Sequence, residues 1–376
     1  MTPMQAIIAT RIKEQGPISV AGYMYACLGH PDFGYYMSKD PFGRGGDFIT
    51  APEVSQMFGE MLGLWILAAW QSIGSPAPFT LMELGPGRGT LMADAMRAAT
   101  GFPDFAKACQ LHLVEISPVL RSAQADKLKD CGQTPQWHET VRGAEQASQG
   151  PIFMLGNEFL DALPIHQFQL TKNGWRERMV GLAPDMADGL PIDNLCYVLS
   201  NEDPPPAIDQ TLRGRTDEIG AIAEICPTVV GTVKECAHAI STRGGMALFV
   251  DYGHGQSAAG ETFQAVMDHK PVSTLEHAGE ADLTAHVDFE AVARSSLLGG
   301  ATPFGPLTQG EFLTRIGMPQ RAIKLTESNP GHAESIQIAL DRLIEGDQMG
   351  SLFKVMALSA NGVTPPGYEA DEAFAL

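Results

Sequence analysis

From residue 79 onward, short apolar runs alternate with longer stretches whose apolar positions recur at helical spacing. That pattern predicts a parallel sheet with both faces covered by helices. Candidate strands fall at 79–84, 111–116, 136–138, 152–155, 246–250 and 353–358. Upstream, residues 4–28 repeat at helical spacing, and 29–46 turn to Gly, Pro and aromatics, which predicts a helical lead followed by a long loop. Thr50-Ala51-Pro52-Glu53 combines a capping threonine, a first-turn proline and a Glu at the third helical position. It predicts a capping box opening one apolar helix to about Gln71, packed through Trp65 and Trp70.

Between 167 and 245 the alternation is interrupted. Runs at 168–170, 175–180 and 195–199, with the turn Lys172-Asn173-Gly174, predict a small antiparallel piece. Pro204-Pro205-Pro206 then links it to two helices around 208–242. A helix is expected at 288–298, mostly helical chain from there to 347, and a weakly ordered tail at 365–376. The expected division is an N-terminal helical cover and loop at 1–75, a core at 76–166 and 246–364, and an inserted α+β subdomain at 167–245. The fold class is α/β, doubly wound and mostly parallel.

With 44% hydrophobic residues over 376 positions, the chain can bury a substantial core. Cys27, Cys109, Cys131, Cys196, Cys226 and Cys236 are scattered, without C-x-x-C pairs or zinc-ligand spacing, so reduced thiols and no metal are expected. A formal charge of −19 repels phosphate backbones and attracts cationic partners, which argues against a nucleic-acid partner, while an acidic surface that aids solubility is its main expected cause. No apolar run approaches the roughly 20 residues of a membrane span, so no membrane insertion is expected. Met1 to Gly16 lacks a signal pattern and holds only Arg11 and Lys13 as cations. The expected location is the bacterial cytoplasm, or the mitochondrial matrix for a eukaryotic form whose presequence has been removed.

The first strand runs into Glu83-Leu84-Gly85-Pro86-Gly87-Arg88-Gly89-Thr90. A strand ending in Gly-x-Gly-x-Gly before a helix presents backbone N–H groups to a bound ligand, and side chains there would block its approach. A dinucleotide turn would need glycine where Thr90 stands, which weakens a nicotinamide reading. Glu83 at the strand end suits an ammonium and would repel a pyrophosphate. Glu115, closing the next strand, is placed to accept hydrogen bonds from ribose hydroxyls. Together these acids point to S-adenosylmethionine (SAM).

After the fourth strand comes Asn157-Glu158-Phe159-Leu160-Asp161-Ala162-Leu163-Pro164. Glu158 and Asp161 are three apart, so a helical turn would put both on one face. Asn157 capping a helix whose positive end the acids favour is the structural alternative. Two carboxylates beside a cofactor turn suit a guanidinium, which they can bind through paired N–H contacts. Asp251, after the fifth strand, fits either fixing its own turn or touching substrate, and Asp288 fits an N-cap.

These motifs resemble the MidA-like SAM-dependent methyltransferases, whose mitochondrial members are protein arginine methyltransferases acting in respiratory complex I assembly. The resemblance spans nearly the whole chain. Its carriers are Gly34-Tyr35-Tyr36, Gly46-Asp47-Phe48-Ile49-Thr50-Ala51-Pro52-Glu53-Val54-Ser55, the turn from Glu83 to Thr90, Val114-Glu115-Ile116-Ser117-Pro118, the segment from Asn157 to Pro164, Asp251-Tyr252-Gly253, and Asp282-Leu283-Thr284-Ala285-His286-Val287-Asp288-Phe289. It implies a seven-stranded SAM-methyltransferase-like sheet and symmetric dimethylation of an arginine in a complex I core subunit. Glu83, Gly85, Pro86, Gly87, Gly89, Glu115, Asp47 and Thr50 are the expected cofactor contacts, and Glu158, Asp161 and Asn157 the catalytic group. The rival readings are a non-catalytic assembly chaperone with a SAM fold and a small-molecule methyltransferase. An insertion with edge strands also allows a homodimer.

Overall fold

The computed structural model describes residues 1–38, 50–99, 101–183 and 194–375, and the chain divides into two compact units. One unit comprises 49–160, 230–255 and 287–376 and the other 1–48, 161–229 and 256–286.

The first of these carries strands β1 (Phe79–Leu84), β2 (Cys109–Val114), β3 (Gln136–His138), β4 (Ile152–Asn157), β5 (Gly245–His254), β6 (Val287–Asp288), β7 (Thr302–Thr308) and β8 (Phe353–Ser359). Seven lie on one path in the order β7-β8-β5-β4-β1-β2-β3, with β6 beside the end of β5. Pairing from β3 through β5 is parallel, and β8 runs antiparallel to both β5 and β7. This is the doubly wound, mostly parallel sheet expected of the sequence. Side chains alternate between its faces: Leu81, Leu113, Phe153, Leu155, Leu248 and Val250 join a core with helices Gln56–Ser72 and Thr90–Ala99, while Met82, Met154, Ala247 and Phe249 are buried on the other face.

The other unit holds helices Pro3–Gln15 and Val20–Gly29 and a five-stranded antiparallel sheet of Ile18–Ser19, His166–Thr171, Gly174–Leu182, Leu195–Leu199 and Ile222–Ile225. A three-stranded sheet of Gln264–Met267, Lys270–Val272 and Asp282–Thr284 belongs with it. Ile8, Tyr23, Cys27, Val180 and Leu283 meet in its core.

Several elements differ from expectation. The helix expected from Thr50 to about Gln71 is broken: Ala51–Val54 ends at Ser55, which is extended (φ −160°) and caps the separate helix Gln56–Ser72 through Met57 N–H. That second helix buries Phe58, Leu62, Trp65 and Ile66 in the sheet core, so 49–72 groups with the sheet and 1–48 with the inserted strands. Ile222–Ile225 falls inside a region read as helical, and β7 inside another. The β7 sequence Thr-Pro-Phe-Gly-Pro-Leu-Thr conceals a strand because its prolines are tolerated only at a sheet edge, where β7 lies. The segment read as a weak tail is anchored instead. Tyr368 is buried and donates to Val355 O at 3.0 Å, and Trp65 Nε1 donates to Pro366 O at 2.8 Å.

Candidate active site

Strand order reverses at β1, which has β2 on one side and β4 on the other. In an open α/β sheet the crevice at such a reversal, outside the carboxyl ends of the strands, is where ligands bind. The glycine turn leaves β1 there. Gly85, Gly87 and Gly89 have φ of 59°, 53° and 81°, in the left-handed region that a side chain disfavours. Gly85 N–H continues the sheet pairing to Val114 O (3.0 Å), and Gly89 N–H closes the turn on Pro86 O (2.7 Å). A Cβ at Gly85 would lie 2.7 Å from Phe159 Cδ2, so a ring of the protein itself explains the glycine there.

Gln124, on the helix Pro118–Leu128, fixes the far side of the turn. Fully buried, it donates through Nε2 to Gly87 O (2.7 Å) and Glu115 Oε2 (3.2 Å) and accepts from Trp137 Nε1 (2.8 Å). Sequence reasoning missed it, because an isolated glutamine in a helix carries no motif.

Glu83 is 2% exposed, and its Oε2 has no hydrogen-bond partner among the described residues. Burial, aided by the nearby Glu115 carboxylate, raises its pKa from the ordinary 4.5 to about 8. An orphaned, buried carboxyl at the crevice fits a ligand that brings a cationic donor, as the ammonium of SAM would. Glu115 is anchored: Oε1 accepts from Ser117 N–H (2.8 Å), and burial raises its pKa against the lowering effect of that bond. Beside it Ile116 is an apolar side chain 56% exposed, a surface a nucleobase could cover. It stood in the motif without a role assigned.

At the end of β4, the helical turn expected to align Glu158 with Asp161 is absent. Glu158 is left-handed at φ 47° and the residues after it are irregular. Two bonds hold the chain out of a helix: Glu158 N–H extends the β4–β5 pairing to Val250 O (2.9 Å), and Leu160 N–H donates to Asp251 Oδ2 (2.9 Å). Asn157 therefore caps no helix, and Asp251 fixes this loop and its own Tyr252 N–H (3.0 Å). Glu158 Oε1 accepts from Asn157 Nδ2 (3.2 Å) and Ala51 N–H (3.0 Å). Asn157 Oδ1 is buried with no partner among the described residues. Asp161 falls in the other unit, where its carbonyl accepts from Ala285 N–H (3.0 Å) and its charge helps raise the pKa of Tyr36, which donates to Asp282 at 2.9 Å. Thr50 precedes Ala51–Val54 without a side-chain cap bond, and Asp47 lies outside the described residues. Asp288 is the expected N-cap, accepting from Ala291 N–H (3.1 Å).

The sheet and the glycine turn suit a methyltransferase whose cofactor is a nucleoside without phosphate. The chain belongs to the S-adenosyl-L-methionine-dependent methyltransferase family, whose model matches residues 61–307. It is 37% identical to the human mitochondrial protein arginine methyltransferase NDUFAF7, over 95% of this chain and 83% of that one. Its identity to the Drosophila melanogaster homolog of that protein is 38%, over 93% and 83%. A Burkholderia thailandensis methyl transferase bound to S-adenosyl-homocysteine superimposes with a TM-score of 0.86 at 26% identity, over 99% of this chain and 95% of that one. The protein is thus a SAM-dependent methyltransferase, as the sequence motifs imply. Among the described residues no group of His, Cys, Asp and Glu could hold a metal, and no helix is long and apolar enough to cross a membrane.

Proposed function

We propose that this methyltransferase modifies an arginine of a protein substrate, giving symmetric dimethylarginine in a respiratory complex I subunit made in the bacterial cytoplasm. The observation that carries the reading is a pair of buried acceptors, Glu83 Oε2 and Asn157 Oδ1, without partners among the described residues at the ends of the adjacent strands β1 and β4. Each calls for a donor from a ligand, and two cationic ligands, an ammonium and a guanidinium, would supply them. The names of the relatives support arginine as the acceptor.

Glu83, Gly85, Pro86, Gly87, Gly89 and Glu115 would hold the cofactor, with Thr50 beside it. Bound SAM supplies a methyl group on an electrophilic sulfonium. Arginine is a poor nucleophile because its lone pairs are delocalised and its pKa exceeds about 12. Glu158 would bind two guanidinium N–H groups, draw positive charge toward the nitrogens it touches and leave another nitrogen free to take the methyl while losing its own proton to solvent. Asn157 would accept from the same group through Oδ1 while its Nδ2 steadies Glu158. Orientation in a water-poor crevice provides much of the remaining acceleration. Asp161, expected as the partner of Glu158, is left out of this assignment because it is grouped with Tyr36 and Asp282.

The test is to incubate the protein with isotope-labelled SAM and candidate complex I subunits, then map the label by mass spectrometry. Methylarginine in a subunit supports the proposal. Label only in a small molecule, or none, overturns it.

A further inference from the structure

A glutamate at the third position of a helix, three residues after a threonine cap, ordinarily reaches back to its own cap. Glu53 does not. Thr50 makes no side-chain cap bond, and Glu53 Oε1 instead accepts from the hydroxyl of Thr90 at 2.8 Å, 37 residues away. Thr90 opens the helix that follows the glycine turn. Two residues before Glu53, on the same short turn, Ala51 donates its N–H to Glu158 Oε1 at 3.0 Å. Glu53 and Val54 N–H groups both bond to Thr50 O, at 2.9 and 3.1 Å, and Ala51 and Pro52 are buried, so the turn is internally bonded and packed. A continuous path of hydrogen bonds and one packed turn therefore connects the cofactor helix to Glu158.

We propose that Glu53 is a positioning residue for methyl transfer: by holding the turn 51–54 against Thr90 it sets where Ala51 N–H presents Glu158 to the acceptor. The proposal rests on the reading of Glu158 as the acceptor-side carboxylate. Glu53 acts through its bond to Thr90 and through Ala51 and Glu158. Releasing it lets the turn drift, and misplacement by about 1 Å at a reacting group can cost about 100-fold in rate.

The experiment is a set of double-mutant cycles on the full chain, reading kcat, acceptor KM and S-adenosyl-homocysteine affinity. Glu53→Ala and Thr90→Val should each lower kcat about 10- to 100-fold and leave S-adenosyl-homocysteine affinity nearly unchanged. The two together should cost no more than either alone, Thr90→Ser should restore the rate, and Glu53→Ala should cost nothing further in a Glu158→Gln background. Additive losses, or cofactor affinity falling in step with kcat, would assign Glu53 to the fold or the cofactor site and overturn the proposal. A crystal structure of Glu53→Ala with S-adenosyl-homocysteine decides the same point without any acceptor: displacement of Glu158 from Ala51 N–H supports the proposal, and an intact bond refutes it. Should the wild type methylate something other than arginine, the functional reading fails while these outcomes still judge Glu53. If Glu53→Ala does not fold, the Thr90→Val and Thr90→Ser pair supplies both results.

Discussion

The ring of Phe159 rests on the α-carbon of Gly85, so that a Cβ there would lie 2.7 Å from Phe159 Cδ2. The residue after Glu158 thus packs directly on the cofactor turn, and Gly85 is dictated by protein packing as well as by its φ of 59°. Both residues sit at the crevice where strand order reverses.

Gly85→Ala should therefore destabilise the protein by about 1–3 kcal/mol, from left-handed strain and overpacking combined. Phe159→Leu in the same chain should recover part of that loss. Urea unfolding of the single and double variants measures it. A double variant no more stable than Gly85→Ala would show that the ring is not the obstacle.

Glu83 makes the cofactor site sensitive to pH. Its carboxyl is raised from 4.5 to about 8, so it is largely protonated at neutral pH in the ligand-free protein, and an ammonium ligand favours the ionised form. Affinity for SAM should rise by up to about tenfold per pH unit as pH increases toward 8, and level off above it. Stability of the ligand-free protein should run the other way. Between 4.5 and about 8 the unfolded chain has lost this proton and the native chain has kept it, so rising pH costs stability. Calorimetric titration from pH 6.5 to 8.5 tests the binding arm, and Glu83→Gln should flatten the curve. An equally steep curve in that variant would place the titrating group elsewhere.

Much of this site could be read in the chain because its signals are local. The Gly-x-Gly-x-Gly turn after a buried strand announced the crevice, and Glu83 and Glu115 lie at the strand ends where the pattern put them. What stayed hidden depends on contacts distant in sequence. Thr50 and Glu53 have the letters of a capping box, yet Glu53 is drawn to Thr90. Asn157-Glu158 reads as the start of a helix, yet Val250 O and Asp251 claim the N–H groups. Strand β7 carries two prolines that only an edge position accommodates.

Gln124 joins the turn to Glu115, the acid proposed for the ribose, since one amide nitrogen bonds both Gly87 O and Glu115. Gln124→Ala would leave those groups and Trp137 Nε1 without their partner, at about 1–3 kcal/mol for each buried group left unsatisfied. SAM affinity should fall about tenfold or more, since 1.4 kcal/mol is a factor of ten, and the unfolding midpoint should drop with it. Unchanged affinity in a destabilised variant would confine Gln124 to the fold.

If Glu158 serves the acceptor, as we propose, it is where cofactor binding and acceptor chemistry separate. Its Oε1 is held by Ala51 N–H and Asn157 Nδ2, and its left-handed backbone at φ 47° is kept by the bond to Val250 O, so the residue is placed by three partners of one unit. Strain of that kind costs about 1–3 kcal/mol and persists where the surroundings over-determine it. Glu158→Gln keeps the shape and removes the charge that would hold a guanidinium. S-adenosyl-homocysteine affinity should stay within about twofold, a difference of about 0.4 kcal/mol or less, if Glu158 serves the acceptor as proposed. Methyl transfer should fall by about 100-fold or more, as expected when a charge-assisted pair that orients the nucleophile is lost. Glu158→Gly relieves the backbone but leaves Ala51 N–H and Asn157 Nδ2 without their acceptor, so it should abolish transfer without raising the unfolding midpoint. Full turnover in Glu158→Gln would remove the acceptor-side assignment, and with it the role of Glu53, while leaving the cofactor crevice at β1 intact.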